Sequence, residues 1–207
     1  MDALRLSLEV AALATLIVVA VGIPAALLIL RLPSVPGRVL ESALLAPLVV
    51  PPSVTGLALL WLLGVNGPLG MNLLFTRAAA VIAAALVSFP LFLRSARVAL
   101  NEVSPAYLQL AESLGDSPLW AVWRVQLPLA RRGLLGGAAL AFGRALGEFG
   151  ATLMVAGNIP GRTETLAVAV YDHAMAGEAS EAWSAAIVLL GAGAVVLAAM
   201  AFAEPRR

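Results

Sequence analysis

Arg144 and Glu148 are the residues of this sequence best placed to do chemistry, because both lie inside a long apolar run. They are four positions apart, so on a helix they share one face and can form an ion pair. One such charge at the middle of a membrane costs about 2.5–3.5 kcal/mol. We therefore predict that the two are paired and turned away from lipid. The pair either lines or gates a polar route, or it is a structural ion pair that fixes the register of its helix.

The other titratable residues predict no catalytic centre. The sequence has no Cys, which excludes disulfides and thiolate metal sites, and its acidic residues are scattered over loops and span ends. Its one histidine, His173, stands beside Asp172 and is interpreted as a surface residue. All 13 Lys and Arg positions hold Arg, so the phosphate-binding loop that needs Lys cannot form. We predict a chain with no metal, cofactor or catalytic site of its own; if ATP drives it, a separate chain hydrolyses that ATP.

A polar stretch, residues 104–128, separates two apolar runs and predicts a helical hairpin, called the hairpin below. Ser104 and Ser117 are each followed by Pro, the N-cap and first-turn pattern that starts a helix. Gly115 is a typical helix stop, and the first helix is predicted to end just before it. The second helix is predicted to end before Pro128.

The two predicted helices of the hairpin are too short to cross a membrane. Each has about 10 residues and is roughly 15 Å long, half of a hydrocarbon core of ~30 Å. The second helix has apolar residues at helical spacing: Leu119, Trp120, Val122, Trp123 and Leu127. A hairpin with an apolar face, held outside the membrane, is suited to docking onto another protein.

The elements that position these residues are predicted to be membrane helices. The chain is 61% hydrophobic with mean hydropathy +0.97 and only 12% charged residues, against about 25% charged residues in soluble domains. Several apolar runs exceed the ~18 residues of a spanning helix. We predict an all-α integral membrane protein, one domain over residues 1–207. Its five spans are predicted at about 7–30, 39–63, 78–98, 134–156 and 182–203. The apolar run 166–170 is too short to span and predicts a partial or re-entrant helix at the outer mouth.

Arginine placement predicts the orientation, since cytoplasmic loops carry the excess of basic residues. Nine Arg fall on one side of the predicted spans and are assigned to the cytoplasm: Arg31, Arg38, Arg94, Arg97, Arg124, Arg131, Arg132, Arg206 and Arg207. Three fall on the other side: Arg5, Arg77 and Arg162. The N-terminus is then outside, and both the C-terminus and the hairpin are inside. Trp61 and Trp183 fall at the outer ends of their spans, where interfacial aromatic residues belong.

Proline and glycine mark two of the predicted spans. The second span contains Pro47, Pro51 and Pro52, which remove backbone donors and kink or break a helix. Irregular backbone in lipid has to face protein or a water-filled path, so the break is either a packing kink or part of such a path. The fourth span carries a stripe of glycines that would let another helix approach closely: Gly136, Gly143, Gly147 and Gly150.

The hairpin resembles the cytoplasmic coupling loop of ABC importer permeases, whose pattern is E-A-A-x-x-x-G, nine residues, then I-x-L-P. Four residues match at their positions: Ala111, Gly115, Leu127 and Pro128. Val125 conservatively replaces the Ile, whereas Gln109 and Leu110 depart from the first two positions, and Glu112 lies near the missing Glu. The resemblance implies that this loop sits in a cleft of the ATPase subunit. The coupling residues it implies are Ala111, Glu112, Gly115, Asp116, Arg124, Val125, Leu127 and Pro128.

Nearly the whole chain resembles the oxyanion branch of these permeases. The segment GRALGEFGA is shared with sulfate-type permeases, whereas TLMVAGNIPGRTETL looks more like the molybdate type. The resemblance implies the type I ABC importer permease fold in the inner membrane of a prokaryote. It also implies a homodimer, two copies of a separate ATPase, and a periplasmic or lipid-anchored binding protein that delivers the anion. It implies no nucleic-acid partner.

Three alternatives to molybdate transport stay open at this point. Tungstate is one, and sulfate or thiosulfate is another, since the shared segment only partly separates these branches. A passive channel or membrane scaffold is a distant third, because it would leave the hairpin unexplained. For any oxyanion, Arg144, Thr152 and Asn158 could supply positive charge and donors. The candidate residues of a translocation path or gate are Pro51, Pro52, Arg144, Glu148, Thr152 and Asn158.

Overall fold

The computed structural model describes residues 2–203, which form helices and connecting turns without a strand. Arg206 and Arg207, used in the orientation prediction, lie outside the described residues. The elements in chain order are α1 (Asp2–Arg31), α2 (Ser34–Leu45), a 3₁₀ turn (Ala46–Leu48), α3 (Pro52–Leu63), α4 (Arg77–Asn101), α5 (Pro105–Ser113), α6 (Pro118–Ala121), a π-helical turn (Val122–Gln126), α7 (Leu127–Leu146), α8 (Gly150–Ala156), α9 (Leu166–Ala176) and α10 (Ala179–Ala203).

Three helices are long and apolar enough to cross a membrane: Asp2–Arg31, Arg77–Asn101 and Ala179–Val196. Two further candidates are bent pairs. Ser34–Leu48 meets Pro52–Leu63 at 103°, and Pro118–Leu146 meets Gly150–Ala156 at 60°. By length and composition the described residues therefore hold three spans, or five if each bent pair counts as one. The predicted second and fourth spans fall on these pairs, and each is broken near the middle.

The core is built from α1, α4 and α7, which pack side by side. Small residues allow the close approach, as in other membrane bundles. A Cβ on Gly22 of α1 would lie 2.4 Å from the Phe92 ring of α4. On α7, a Cβ on Gly133 would lie 2.4 Å from Ala99 Cβ, and one on Gly137 would lie 2.8 Å from Ser95 Cβ. Because Gly133 meets Ala99 and Gly137 meets Ser95, α7 runs antiparallel to α4.

The prediction that the second hairpin helix ends before Pro128 is wrong. Residues 118–146 form one helix that passes through the π-helical turn and continues past Pro128 into the bundle. In the π-helical turn the Leu127 N–H donates to Val122 O, five residues back. A proline ring in a regular α-helix collides with the carbonyl four residues before it. The wider turn directly before Pro128 relieves that collision, so the helix does not stop.

The remaining helices cover this core. The first hairpin helix is α5, which ends at Ser113, and Gly115 follows in the turn, as the sequence predicts. Helix α3 packs on α8, and α10 packs on both α9 and α7. Arg97 of α4 forms an ion pair with Glu41 of α2, which ties α2 to the end of α4 near the hairpin.

Candidate functional site

The turn of the hairpin depends on the backbone conformation of Gly115. Its φ is +103°, a region that residues with a Cβ rarely adopt. Gly115 N donates to Glu112 O at 3.0 Å, and Asp116 N donates to Ala111 O at 3.1 Å. These bonds satisfy carbonyls at the end of α5 and reverse the chain. No described atom lies within 4 Å of the position that a Cβ on Gly115 would take, so the constraint there is conformational, not one of space.

Side chains also fix the turn of the hairpin to its second arm. Arg124 Nη1 lies 3.0 Å from Asp116 Oδ1, and the pair is exposed on the arginine side. The guanidinium carbon of Arg124 is 5.0 Å from the centre of the Trp120 ring, within the range of a cation–π contact. Ser117 accepts from Trp120 N at 3.4 Å and so caps the second arm. The predicted residues Asp116 and Arg124 therefore hold the shape of the turn.

The hairpin exposes a large apolar surface. Six big hydrophobic side chains are each more than half exposed: Tyr107, Leu110, Leu114, Leu119, Trp120 and Trp123. Between the arms lies an open groove of about 420 Å³, lined by Tyr107, Leu110, Ala111, Leu114, Asp116, Arg124 and Val125. Contiguous apolar patches of this kind mark interaction sites. Four of the predicted coupling residues, Ala111, Asp116, Arg124 and Val125, line this groove.

The other predicted coupling residues lie around the groove or at the base of the hairpin. Glu112 is exposed on α5, and Leu127 and Pro128 begin α7. Sequence reasoning missed Gln126, which is buried and donates its Nε2 to Leu100 O at 3.2 Å. This bond anchors the hairpin to the end of α4. A lone amide between apolar residues was the available signal, because a buried amide requires a partner.

The predicted ion pair between Arg144 and Glu148 is present, at the bend between α7 and α8 (residues 147–149, called the bend below). Arg144 Nη2 lies 2.8 Å from Glu148 Oε2. The Glu148 side chain is 2% exposed and that of Arg144 is 33% exposed. The second carboxylate oxygen, Glu148 Oε1, accepts from Ala151 N at 2.9 Å and so caps the start of α8. One carboxylate thus fixes both sides of the bend.

The bend lies against the break between α2 and α3 (residues 46–51, called the break below). A Cβ on Gly150 would be 3.1 Å from Pro52 Cβ, and one on Gly56 would be 3.2 Å from Ala151 Cα. Pro51 and Pro52 are exposed, and Val49 is 85% exposed. The chain therefore brings its two interrupted helices together at their interruptions. Interrupted helices that meet inside the membrane are typical of transport sites.

Buried polar atoms follow the chain from the bend toward α9. Thr152 Oγ1, Asn158 Oδ1 and Thr165 Oγ1 are all buried and have no hydrogen-bond partner among the described residues. Thr152 and Asn158 are residues that the sequence marks as candidates for a polar route, whereas Thr165 was missed. Buried hydroxyl and amide oxygens without partners are rare in folded proteins. The described chain therefore leaves three polar oxygens of this segment buried without a hydrogen bond.

The segment after α8 is held in place by backbone contacts. Arg77 donates to Arg162 O at 3.1 Å and to Gly161 O at 3.2 Å. Leu166 N, at the start of α9, donates to Ser7 Oγ at 2.8 Å. Helix α9 is an 11-residue apolar helix, about 16 Å long, which is too short to span. This agrees with the predicted partial helix, while its re-entrant placement stays a prediction.

Two side-chain contacts connect α9 to its surroundings. The ring of Tyr171 lies 4.9 Å from the ring of Phe149 at the bend, centre to centre. Two residues further along α9, His173 Nδ1 lies 2.7 Å from Glu178 Oε2 across the turn to α10. This hydrogen bond, together with the nearby carboxylates of Asp172 and Glu164, raises the pKa of His173 above its ordinary value. His173 is therefore a structural contact of the turn.

The predicted glycine stripe makes few contacts inside the chain. No described atom lies within 4 Å of a Cβ built on Gly136, and Gly143 would only touch Val196 at 3.9 Å. Gly147 would meet only Gly143 O, at 3.7 Å. Its fourth member, Gly150, does meet another helix closely, since its Cβ would lie 3.1 Å from Pro52 Cβ of α3. Close contact of Gly136, Gly143 and Gly147 with another helix stays a prediction.

Comparison with known proteins gives a family match over most of the chain. Residues 18–207 match the family described as binding-protein-dependent transport system inner membrane component. The molybdenum transport system permease protein ModB of Escherichia coli (strain K12) is 42% identical over 179 residues, which are 82% of this chain and 78% of that protein. ModB of Mycobacterium tuberculosis (strain ATCC 25618 / H37Rv) is 39% identical over 206 residues, 93% of this chain and 78% of that protein.

Two further similarities concern a Bacillus protein and a solved structure. The putative molybdenum transport system permease protein YvgM of Bacillus subtilis (strain 168) is 39% identical over 188 residues, 86% of this chain and 82% of that protein. A structure described as an inward facing conformation of the MetNI methionine ABC transporter aligns with TM-score 0.77. It covers 98% of this chain and 95% of that chain at 16% identity, so it supports the fold alone.

Proposed function

Because the chain belongs to the family of binding-protein-dependent transport system inner membrane components, we propose that it is the permease subunit of an ATP-driven molybdate importer. The hairpin is the observation that carries the coupling part of this proposal. It exposes aromatic and aliphatic side chains around a groove between α5 and the start of the helix of residues 118–146. The molybdate part rests on the relatives, which are molybdenum permeases at 39–42% identity.

The hairpin and the bend are the two ends of one helical rod. Residues 118–146 form a helix without interruption, about 43 Å long at 1.5 Å per residue. In our proposal the ATPase grips the hairpin, and the rod transmits its movement to the bend. The Arg144–Glu148 pair and the Ala151 cap keep α8 attached to the rod as it moves. The contact of Gly150 with Pro52 then passes the movement on to α3.

We place the translocation path along the bend and the break. Pro51 and Pro52 are exposed at the break, and Arg144 is one third exposed at the bend. Such backbone and charge are not tolerated against lipid, so they need a protein partner or water. The unpartnered oxygens of Thr152 and Asn158 continue the polar stretch beyond the bend. Arg144 supplies the positive charge that an oxyanion requires.

The proposed assembly contains two copies of this chain, two copies of a separate ATPase, and an external binding protein. A second copy would cover the exposed side chains of the break and the glycines Gly136, Gly143 and Gly147, which have few contacts among the described residues. The chain itself would hold no ATP and no cofactor. We propose the inner membrane of a prokaryote, with the N-terminus outside and the hairpin in the cytoplasm. Trp61 and Trp183 are exposed, as expected for residues at the outer interface.

The test is molybdate uptake at nanomolar supply in a host that lacks this chain and any redundant system. We expect deletion to abolish uptake, and both the intact chain and a Gly191→Ala control to restore it, since a Cβ on Gly191 of α10 meets open space. Unchanged uptake after deletion would refute the proposal. An uptake defect for sulfate or thiosulfate instead would move the chain to that branch. The oxyanion held by the partner binding protein would decide between molybdate, tungstate and sulfate.

Two further measurements test the coupling part independently of the anion. Co-purification with an ATPase subunit is expected, and a chain that never associates with one would be a channel or a scaffold. A cysteine introduced at an exposed hairpin position such as Leu114 is expected to react with impermeant reagents only from the cytoplasm. Labelling from outside alone would contradict both the orientation and the docking role.

A further inference from the structure

A second groove, separate from the groove of the hairpin, lies between α1, α2 and α4. It has a volume of about 380 Å³, and every side chain that lines it is apolar. Ile17 and Val21 come from α1, Ala43 and Pro47 from the end of α2 and the 3₁₀ turn, and Ile82 and Phe89 from α4. A path for an oxyanion requires donors and charge, so the interior of this apolar groove lies outside the proposed transport route, although Pro47 of the break forms part of its wall.

Arginine side chains collect at one end of the apolar groove. Arg31 ends α1 and Arg38 lies in the first turns of α2, and both are exposed. The two helices touch there, since a Cβ on Gly37 would lie 3.2 Å from Ile29 O. Arg97 of α4 reaches the same end and is neutralised by Glu41 of α2. Three guanidinium groups against one carboxylate leave an excess of two positive charges where α1 ends and α2 begins.

The distance between the charges and the groove matches one leaflet of a membrane. Val21 and Arg31 are ten residues apart on one helix, so they are about 15 Å apart along its axis. Half of a hydrocarbon core of ~30 Å is also about 15 Å. A lipid with its headgroup at the level of Arg31 and Arg38 therefore places the end of its acyl chain beside Val21 and Ile17.

We propose that an anionic phospholipid occupies the apolar groove, with its acyl chain along α1, α2 and α4 and its phosphate at Arg31 and Arg38. The apolar walls need only hydrocarbon to cover them, unlike the exposed break and bend, which need protein or water. Basic clusters at the membrane surface favour anionic headgroups. The lipid would fill the space between α2 and the bundle and so support α2. Among the described residues, the Arg97–Glu41 ion pair is one contact that attaches α2 to α4.

The experiment uses the purified full-length chain in lipid nanodiscs with a trace of phosphatidylglycerol that carries a photoreactive group near the end of one acyl chain. We expect labelling concentrated on residues 43–47 and 82–89, and unlabelled phosphatidylglycerol should compete far better than phosphatidylcholine. Ala43→Trp would fill the groove from its rim and remove this labelling. Ala12→Trp, at an exposed position of α1 outside the groove, is the matched control and should leave labelling unchanged.

Replacing Arg31 and Arg38 by Gln tests the headgroup part. At about fivefold for each arginine removed, the preference for phosphatidylglycerol over phosphatidylcholine should fall by about 25-fold in the double variant. Equal labelling of all exposed apolar helix faces would mean ordinary surrounding lipid and would overturn the proposal. Cross-links between two copies across the groove would overturn it as well. A preference that survives the double variant would refute the assigned headgroup site.

Discussion

Two Arg–carboxylate pairs of nearly equal length stand at the two ends of the helical rod. Arg124 and Asp116 are 3.0 Å apart in the hairpin, and Arg144 and Glu148 are 2.8 Å apart at the bend. The Asp116 side chain is 25% exposed, whereas that of Glu148 is 2% exposed. Burial makes the difference in energy, because exposed pairs contribute little while breaking a buried pair leaves an uncompensated charge. We therefore expect the hairpin to be a contact surface and the bend to be a rigid part of the chain.

Glu148→Ala is the variant with the largest expected effect, so it gives the strongest test of this comparison. The change leaves Arg144 without its carboxylate and Ala151 N–H without its cap. We expect a loss of about 3 kcal/mol, at the low end for buried pairs because Arg144 is one third exposed. Thermal unfolding and folded yield in detergent measure it, with the exposed Glu112→Ala as control. Equal stability of the two variants would show that the bend does not depend on its ion pair.

Gly115→Pro should have the next largest effect. It should act mainly on coupling to the ATPase, whereas Glu148→Ala acts on stability. Proline fixes φ near −65° and removes the N–H that donates to Glu112 O, whereas Gly115 has φ +103°. We expect a local cost of about 1–3 kcal/mol at the turn, with membrane insertion intact. Transport and the ATPase activity stimulated by the binding protein should be lost. Gly191→Ala on α10 serves as control, and transport that survives in the proline variant would disprove the docking role of the hairpin.

Trp123→Ala separates docking from folding. Trp123 is 61% exposed, so its removal should leave the unfolding temperature of the chain alone. Buried aromatic anchors at interfaces contribute about 2 kcal/mol or more. The affinity for the ATPase subunit should therefore fall by about 30-fold, as measured in detergent or nanodiscs. Trp183→Ala removes an equally exposed tryptophan on α10 and should not change that affinity. Equal losses would indicate a general effect of exposed tryptophan.

The smallest effect is expected from Asp116→Asn. This variant removes the charge of the exposed pair while it keeps the size of the side chain, and it should cost less than about 1 kcal/mol. The loss should shrink further at high salt, which screens exposed charges. Glu148→Gln at the bend provides the contrast, since its loss should be larger and nearly independent of salt. The same salt dependence at both sites would remove the distinction between them.

The two ends of the rod also differ in how far the sequence predicted them. The hairpin turn is signalled by neighbours in sequence: serine caps, prolines after them, and a glycine stop. The bend was missed, although its ion pair was predicted, because it depends on Gly150 meeting Pro52 of a distant helix. The continuation of the helix past Pro128 was also missed, since a proline normally ends a helix. The π-helical turn that permits it has no signal in a single sequence.

The fold class was predictable because lipid leaves few alternatives to helices. The partners of individual side chains were not, since contacts such as those of Gln126 with Leu100 and of Leu166 with Ser7 join residues far apart in sequence. The glycine stripe shows the same limit. Its spacing is clear, yet of its four members only Gly150 packs closely on another helix of the chain, and the glycines of α7 that pack on α4 are Gly133 and Gly137.

In the proposed coupling mechanism, the close contacts of Gly133 and Gly137 with α4 would act as the fulcrum of a lever. From Pro118 to the midpoint between these two glycines the rod measures about 25 Å, and from there to Leu146 about 17 Å. A push on the hairpin arm would therefore swing the far arm in the opposite direction, with roughly two thirds of the amplitude. If the ATPase moves the hairpins of two copies toward each other, the two bends would then move apart in the middle of the membrane.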